Sequence, residues 1–133
     1  MTISQSFVEF LESKGFGTFG QNIYLYRVPN SKKTQTELFW IVPTGGTPTR
    51  RNRTGELIKA YQFSLYYRSM SAKKIDEVLN QAEEMLNCAT CVQLNGFELV
   101  DIQATQFPIS QDLDSEDRVV GLLQVQLQVY KGC

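Results

Sequence analysis

The sequence predicts an α+β fold, with one mainly antiparallel sheet of about five strands flanked by two helices in the order α-β-β-β-α-β-β. Three observations carry this. The segment Arg118 to Tyr130 alternates cleanly, with Leu123, Val125, Leu127 and Val129 on one side and Gln124, Gln126, Gln128 and Tyr130 on the other. A second long alternation covers Glu56 to Arg68, where Leu57, Tyr61, Phe63, Leu65 and Tyr67 share one parity. Two further segments, one at the start and one before the last pair of strands, carry apolar residues at helical spacing instead.

In chain order, Thr2 and Gln5 fit a capping box, followed by Ile3, Phe7, Phe10 and Leu11 on one helical stripe. Gly15 and Gly17 close that helix. Asn22 to Val28 reads as a strand stopped by Pro29, and Asn30 to Thr36 as a turn. Glu37 to Val42 is a compact apolar strand, also stopped by proline, and the glycines and prolines of Pro43 to Gly55 predict a mobile loop. Lys59 interrupts the apolar parity of the next strand, so that end is expected to project beyond the core. Trp40 is expected in the core, as are most of the tyrosines, with Tyr66 a candidate for an outer interface.

The second helix is expected over Ser71 to Asn87, capped by Ser69 or Ser71, with Ala72, Ile75, Val78, Leu79, Ala82, Met85 and Leu86 as its apolar stripe. Phe97 to Phe107 reads as a strand whose parity shifts between Leu99 and Val100, the mark of a bulge. Ser110 to Asp117 reads as a loop before the last strand. In that last strand the leucine and valine face packs on a helix. The glutamine face is polar but uncharged, suited to water or a neighbouring subunit.

Size and composition agree with one domain over 1–133. A chain of 133 residues can bury a core without help from metal or disulfide. With 42% hydrophobic and 20% charged residues, disorder is not expected. The start MTISQSFVEF has no basic or long apolar region, so no signal peptide is expected, and no apolar run has the length of a membrane helix. Folding in a cytoplasm follows as the expectation.

The chain has no histidine, which excludes Ser-His-Asp and Cys-His catalysis and histidine metal sites. An enzyme is not expected, and neither is a cofactor. Gly45-Gly46 lacks the Gly-Lys-Ser/Thr ending of a phosphate loop. Asp112, Asp114 and Glu116 resemble the start of a calcium loop, but Asp117 stands where glycine is needed and Leu123 where glutamate is needed. Cys88 and Cys91 form one CxxC, without the four ligands of a structural zinc site. The pair follows a helix, whose dipole raises thiol pKa there, so free thiols are expected, as for Cys133. A thiol-dependent redox or metal-binding protein using Cys88 and Cys91 is the rival reading from another class.

The informative feature is a pair of oppositely charged loops. Pro43 to Gly55 carries Arg50, Arg51 and Arg53 and no acid, while Ser110 to Asp117 carries Asp112, Asp114, Glu116 and Asp117 and no base. A small domain so built can join copies head to tail, and such contacts make rings or filaments. The candidate interface is these seven residues with Gln124, Gln126 and Gln128. Nucleic acid is the weaker partner for the arginines, because no aromatics are interleaved with them and the net charge is −1.

The layout resembles the tail-terminator and minor capsid proteins of long-tailed bacteriophages. The resemblance is carried by an N-terminal helix followed by VPNSKKTQTELFWIVPTGGTP, by a long strand ending in LYYRS at 65–69, by AKKIDEVLNQAEEML at 72–86, and by FPISQDLDSEDR at 107–118 before a polar-alternating strand. It implies a single domain assembled as a hexameric ring in the virion, partnered by itself, by the tail tube protein and by the head-completion protein. The loop with Arg50, Arg51 and Arg53 corresponds by position to that family's mobile ring-surface loop. Minor capsid proteins of Gram-positive phages share the VP…GG pattern, so a head-completion or neck adaptor is the structural alternative.

Overall fold

The computed structural model describes residues 2–29, 36–51, 57–87, 98–104, 109–113 and 119–130, with the backbone alone at 47–51, 98–100 and 109–113. Helix α1 (Ile3–Ser13) starts with the expected capping box. The Thr2 hydroxyl accepts from the Gln5 N–H at 3.2 Å, and the Gln5 side chain accepts from the Thr2 N–H at 2.9 Å. The helix buries Phe7, Val8, Phe10 and Leu11 and gives way at Gly15, whose φ of +83° lies in the left-handed region open to glycine.

Strand β1 (Ile23–Leu25) is shorter than the Asn22–Val28 expected, because Tyr26 adopts φ +74° and breaks the extended backbone. It pairs parallel with β2 (Leu38–Arg51), and the 26–37 link between them has the length such a crossover needs. Strand β2 does not stop at Pro43. It runs on to Arg51, paired antiparallel with β3 (Leu57–Ser69) through shifts at Pro43/Gly45 and Thr47/Arg50. The expected mobile loop Pro43 to Gly55 is therefore a hairpin arm as far as Arg51, and its loop-like residues serve the strand. Gly45, at φ +116°, sits at the first shift. A Cβ on Gly46 would meet the Ala60 carbonyl oxygen, so that close strand approach requires glycine. Pro43 and Pro48 are tolerated because β1 pairs with β2 only at 39–41. Beyond Ile41 this side of β2 is an edge among the described residues, where a missing N–H breaks no ladder.

Helix α2 (Ala72–Asn87) follows β3. Both proposed caps contribute: Ser69 Oγ accepts from the Ser71 N–H at 3.2 Å and Ser71 Oγ from the Lys74 N–H at 3.3 Å. Ile75, Leu79, Ala82 and Leu86 are buried, whereas Ala72, expected in the stripe, is exposed in the first turn. Then come β4 (Glu98–Ala104), β5 (Ile109–Leu113) and β6 (Val119–Tyr130). The shift in β4 falls between Leu99 and Asp101, where the change of parity put it.

The fold class is the predicted one, with one added strand. The path is β1-β2-β3-β6-β4, and β5 also pairs with β6. Strand β4 pairs with Val125–Tyr130 and β5 with Val119–Leu122, so the two lie end to end along one side of β6, as one interrupted strand. The expected acidic loop is thereby shortened: Asp112 belongs to β5, and the connection runs from Leu113 to Val119.

Phe39, Ile41, Phe63, Leu65, Tyr67, Ile102, Leu123, Val125 and Leu127 share one face and form one core with both helices. Phe7 of α1 packs on Phe63 with ring centroids 5.0 Å apart. On the core face Tyr61 packs against the cluster while Leu57 and Lys59 lie outside it, as Lys59 suggested. Ile58 and Ala60 are buried on the opposite face, and the Lys59 ammonium lies 5.0 Å from the Tyr61 ring centroid. No helix of the described residues is long and apolar enough to cross a membrane.

Candidate assembly surfaces

The register fixes where the charged segments leave the sheet. Arg50 pairs with Ile58, Ile58 with Tyr130 and Tyr130 with Glu98. At the other end Ser69 pairs with Val119 and Val119 with Leu113. The basic arm thus leaves at the start of β3 and the acidic hairpin at its end. The eleven steps from Ile58 to Ser69 span roughly 36 Å. Arg50 and Arg51 end β2 and Asp112 lies in β5, whereas Arg53, Asp114, Glu116 and Asp117 fall outside the described residues. Among the described residues, Arg50 and Arg51 are therefore at the opposite end of the sheet from Asp112 within one copy.

The outer sheet face joins the remaining candidates. Gln124, Gln126 and Gln128 alternate with the buried Leu123, Val125 and Leu127 and stand opposite Ser64, Gln62 and Ala60 of β3. The Ser64 hydroxyl donates to Gln124 Oε1 at 3.0 Å, and Gln103 Nε2 donates to Gln126 Oε1 at 3.2 Å. These bonds brace neighbouring strands and hold the amides in a lane that Asp101, paired with Gln128, borders on the β4 side. Toward the acidic end the lane gives way to an aromatic row: Tyr24 pairs with Trp40, Trp40 with Tyr66 and Tyr66 with Leu122. Trp40 is not in the core. It lies half-buried on this outer face and stacks on Tyr66 at 4.9 Å with the rings 9° apart. The Glu37–Val42 pattern misled because it is apolar on both parities, which hides which side faces the helices.

On the helix side, the Glu37 carboxylate accepts from Lys74 Nζ at 2.5 Å and from the Tyr67 hydroxyl at 3.2 Å. Burial, and then the charge and hydrogen bond of Glu37, push the Tyr67 phenol pKa well above its ordinary value. The three groups tie the start of β2 to β3 and α2 beside a cleft of about 320 Å³ lined by Lys14, Asn22 and Gln81 among others. Lys74 and Tyr67 both donate to Glu37, which makes the three a structural strap.

Sequence reasoning missed a second groove. It has a volume of about 480 Å³ and lies between α1 and β1, with Val8, Leu25 and Phe19 as apolar lining and Gln5, Glu9 and Glu12 as polar lining. Phe19 is 52% exposed and Tyr26, next to Leu25, is 57% exposed. The available signal was an aromatic set in a glycine-rich turn, Gly17-Thr18-Phe19-Gly20, where a buried role is hard to build. Cys88 and Cys91 lie just beyond α2, outside the described residues, as does Cys133.

These surfaces suit association with protein, and the comparison with known families agrees. A family model described as bacteriophage tail terminator protein matches residues 10–131. The chain belongs to the bacteriophage tail terminator family. The match takes in everything from the second half of α1 to the end of β6, so both charged arms and the glutamine face lie inside it. Tail terminators of this family are structural components of the virion, and the described surfaces of this terminator fit a structural role. No curated protein matches the chain at significance.

Proposed function

We propose that this terminator forms a hexameric ring on the end of the tail tube, where it stops the addition of tube subunits and offers the head-completion protein its docking surface. Membership of the tail terminator family supports the role, and the position of the two charged arms supports the mode of assembly. Arms of opposite charge at opposite ends of one sheet cannot satisfy each other within a copy, and between copies they favour contacts that repeat head to tail and close by rotation. The interface comprises Arg50, Arg51 and Arg53 against Asp112, Asp114, Glu116 and Asp117, with the face of Gln124, Gln126 and Gln128 against the neighbour. The protein is assembled in the host cytoplasm and remains at the junction of tail and head.

Negative-stain imaging of the protein mixed with purified tail tubes tests this. Rings on one tube end, and tubes that no longer lengthen, are expected. Rings that bind tail-less heads while tube ends stay bare would point instead to a neck adaptor. Reversing Arg50, Arg51 and Arg53 to glutamate is expected to abolish capping without unfolding the monomer, and adding Asp112→Lys, Asp114→Lys and Glu116→Lys is expected to restore part of it.

A further inference from the structure

We infer that the groove between α1 and β1 is the seat for the arginine arm of a second copy of this chain. The inference rests on the ring reading above and adds a receiving site to it. The groove chemistry selects arginine. Its walls combine two carboxylates, Glu9 and Glu12, with apolar Val8 and Leu25 and the exposed ring of Phe19. No ion pair joins either carboxylate to a described residue. A guanidinium can bond a carboxylate with two parallel N–H groups while its plane stacks on an aromatic face, and a lysine ammonium can do neither. The 43–55 segment holds three arginines and no lysine.

The arm cannot fill the groove of its own copy. Leu25 of the groove pairs with Ile41, and Arg51 pairs with Leu57 eight rungs of β3 below the Leu65 partner of Ile41. That separates groove from arm by roughly 26 Å along a strand held in place by its ladder. A contact of arm with groove is therefore between copies, uses different surfaces on the two, and propagates in one rotational sense. The groove lies in the same half of the sheet as the acidic hairpin. The hairpin then supplies longer-range attraction and the groove the desolvated seat.

The strained backbone of Tyr26 fits this use. Its φ of +74° is unfavourable for a tyrosine, and it ends β1 directly after Leu25 of the groove.

A benzophenone-bearing residue at Phe19, in an equal mixture of ¹⁴N and ¹⁵N protein, tests the occupant. The sample is irradiated on tail tubes and also at high concentration in low salt. Cross-links from the groove to residues 48–55 of a differently labelled copy are expected in both. Cross-links to another part of the chain or to the tube protein overturn the inference, as does a capped tube or an associated sample with no cross-link. In parallel, Glu9→Arg with Glu12→Arg should fold normally, since both positions are helical and accept arginine. It should weaken self-association in sedimentation by about tenfold or more, and association should recover when it is mixed with protein carrying Arg50→Glu, Arg51→Glu and Arg53→Glu. Unchanged association of the double variant, or no association of the native protein under any condition, overturns the inference. Groove cross-links between free copies together with bare tube ends would retain the inference and sink the capping role.

Discussion

Gly46 and Tyr67 show two ways in which a single residue holds a strand in place. At Gly46 an added Cβ would come within 2.1 Å of the Ala60 carbonyl oxygen, and that atom is backbone and cannot swing aside. Gly46→Ala is therefore expected to destabilise by more than about 1 kcal/mol in denaturant titration, the sign opposite to an unstrained glycine replacement. Tyr67 works through its proton. Its pKa is raised first by burial and then by Glu37, so folding favours the neutral phenol. That contribution is complete below the unfolded pKa of about 10 and is lost as pH rises toward the folded value. Melting temperatures of Tyr67→Phe should be slightly lower at neutral pH and fall less steeply above about pH 10. Parallel slopes would show that the phenol does not drive the alkaline loss. The capping box at Thr2 and Gln5 was legible because its partners are three residues apart. The Glu37–Lys74–Tyr67 strap was not, because its members are brought together only by β2, α2 and β3.

At the scale of elements, β6 carries the clearest test. Leu127 is fully buried and Gln126 lies on the braced outer lane. Leu127→Ala is expected to lose about 2–5 kcal/mol and Gln126→Ala no more than about 0.5 kcal/mol beyond its single hydrogen bond. Equal losses would mean that the faces of β6 are reversed. Strict alternation made β6, β3 and the bulge in β4 readable, since period two has one reading when one face is buried. The arm of β2 was not readable, because Pro43, Gly45, Gly46 and Pro48 are loop signals until an edge and two register shifts explain them. Strand β5 was hidden for a related reason: Ile109–Leu113 is a short, mostly polar stretch between Pro108 and an acidic run, which reads as loop until its pairing with β6 is seen. The face holding Trp40 was likewise undecidable from ELFWIV alone.

The whole molecule is polarised. One end of the sheet releases the basic arm and the other the acidic hairpin, while the net charge is only −1. Such a charge distribution steers encounter more than it strengthens contact. Self-association and capping should therefore weaken as salt rises from 50 to 500 mM, chiefly through a slower on-rate measured by stopped-flow light scattering. The triple arginine reversal should be almost insensitive to the same change. Each exposed pair contributes under about 1 kcal/mol, so the response requires several acting together. The opposite charges were visible in the sequence as two runs. Their separation by the length of β3 was not, because it depends on how β2, β3 and β6 align.

A last consequence follows from the two prolines on the open side of β2. A sheet with a long bare edge invites a second sheet to continue it, and a protein proposed to stop one polymer would then begin another. Pro43, Pro48 and the two register shifts make that edge a poor template, and Glu98, Asp101 and the kink in β4 do the same at the far side. Association is left to side chains and charge, which saturate when a ring closes. Pro43→Val with Pro48→Val should preserve the monomer fold yet give fibrous, thioflavin-positive aggregates at concentrations where the native chain stays clear. Growth control in this protein would then begin with the absence of two backbone hydrogens.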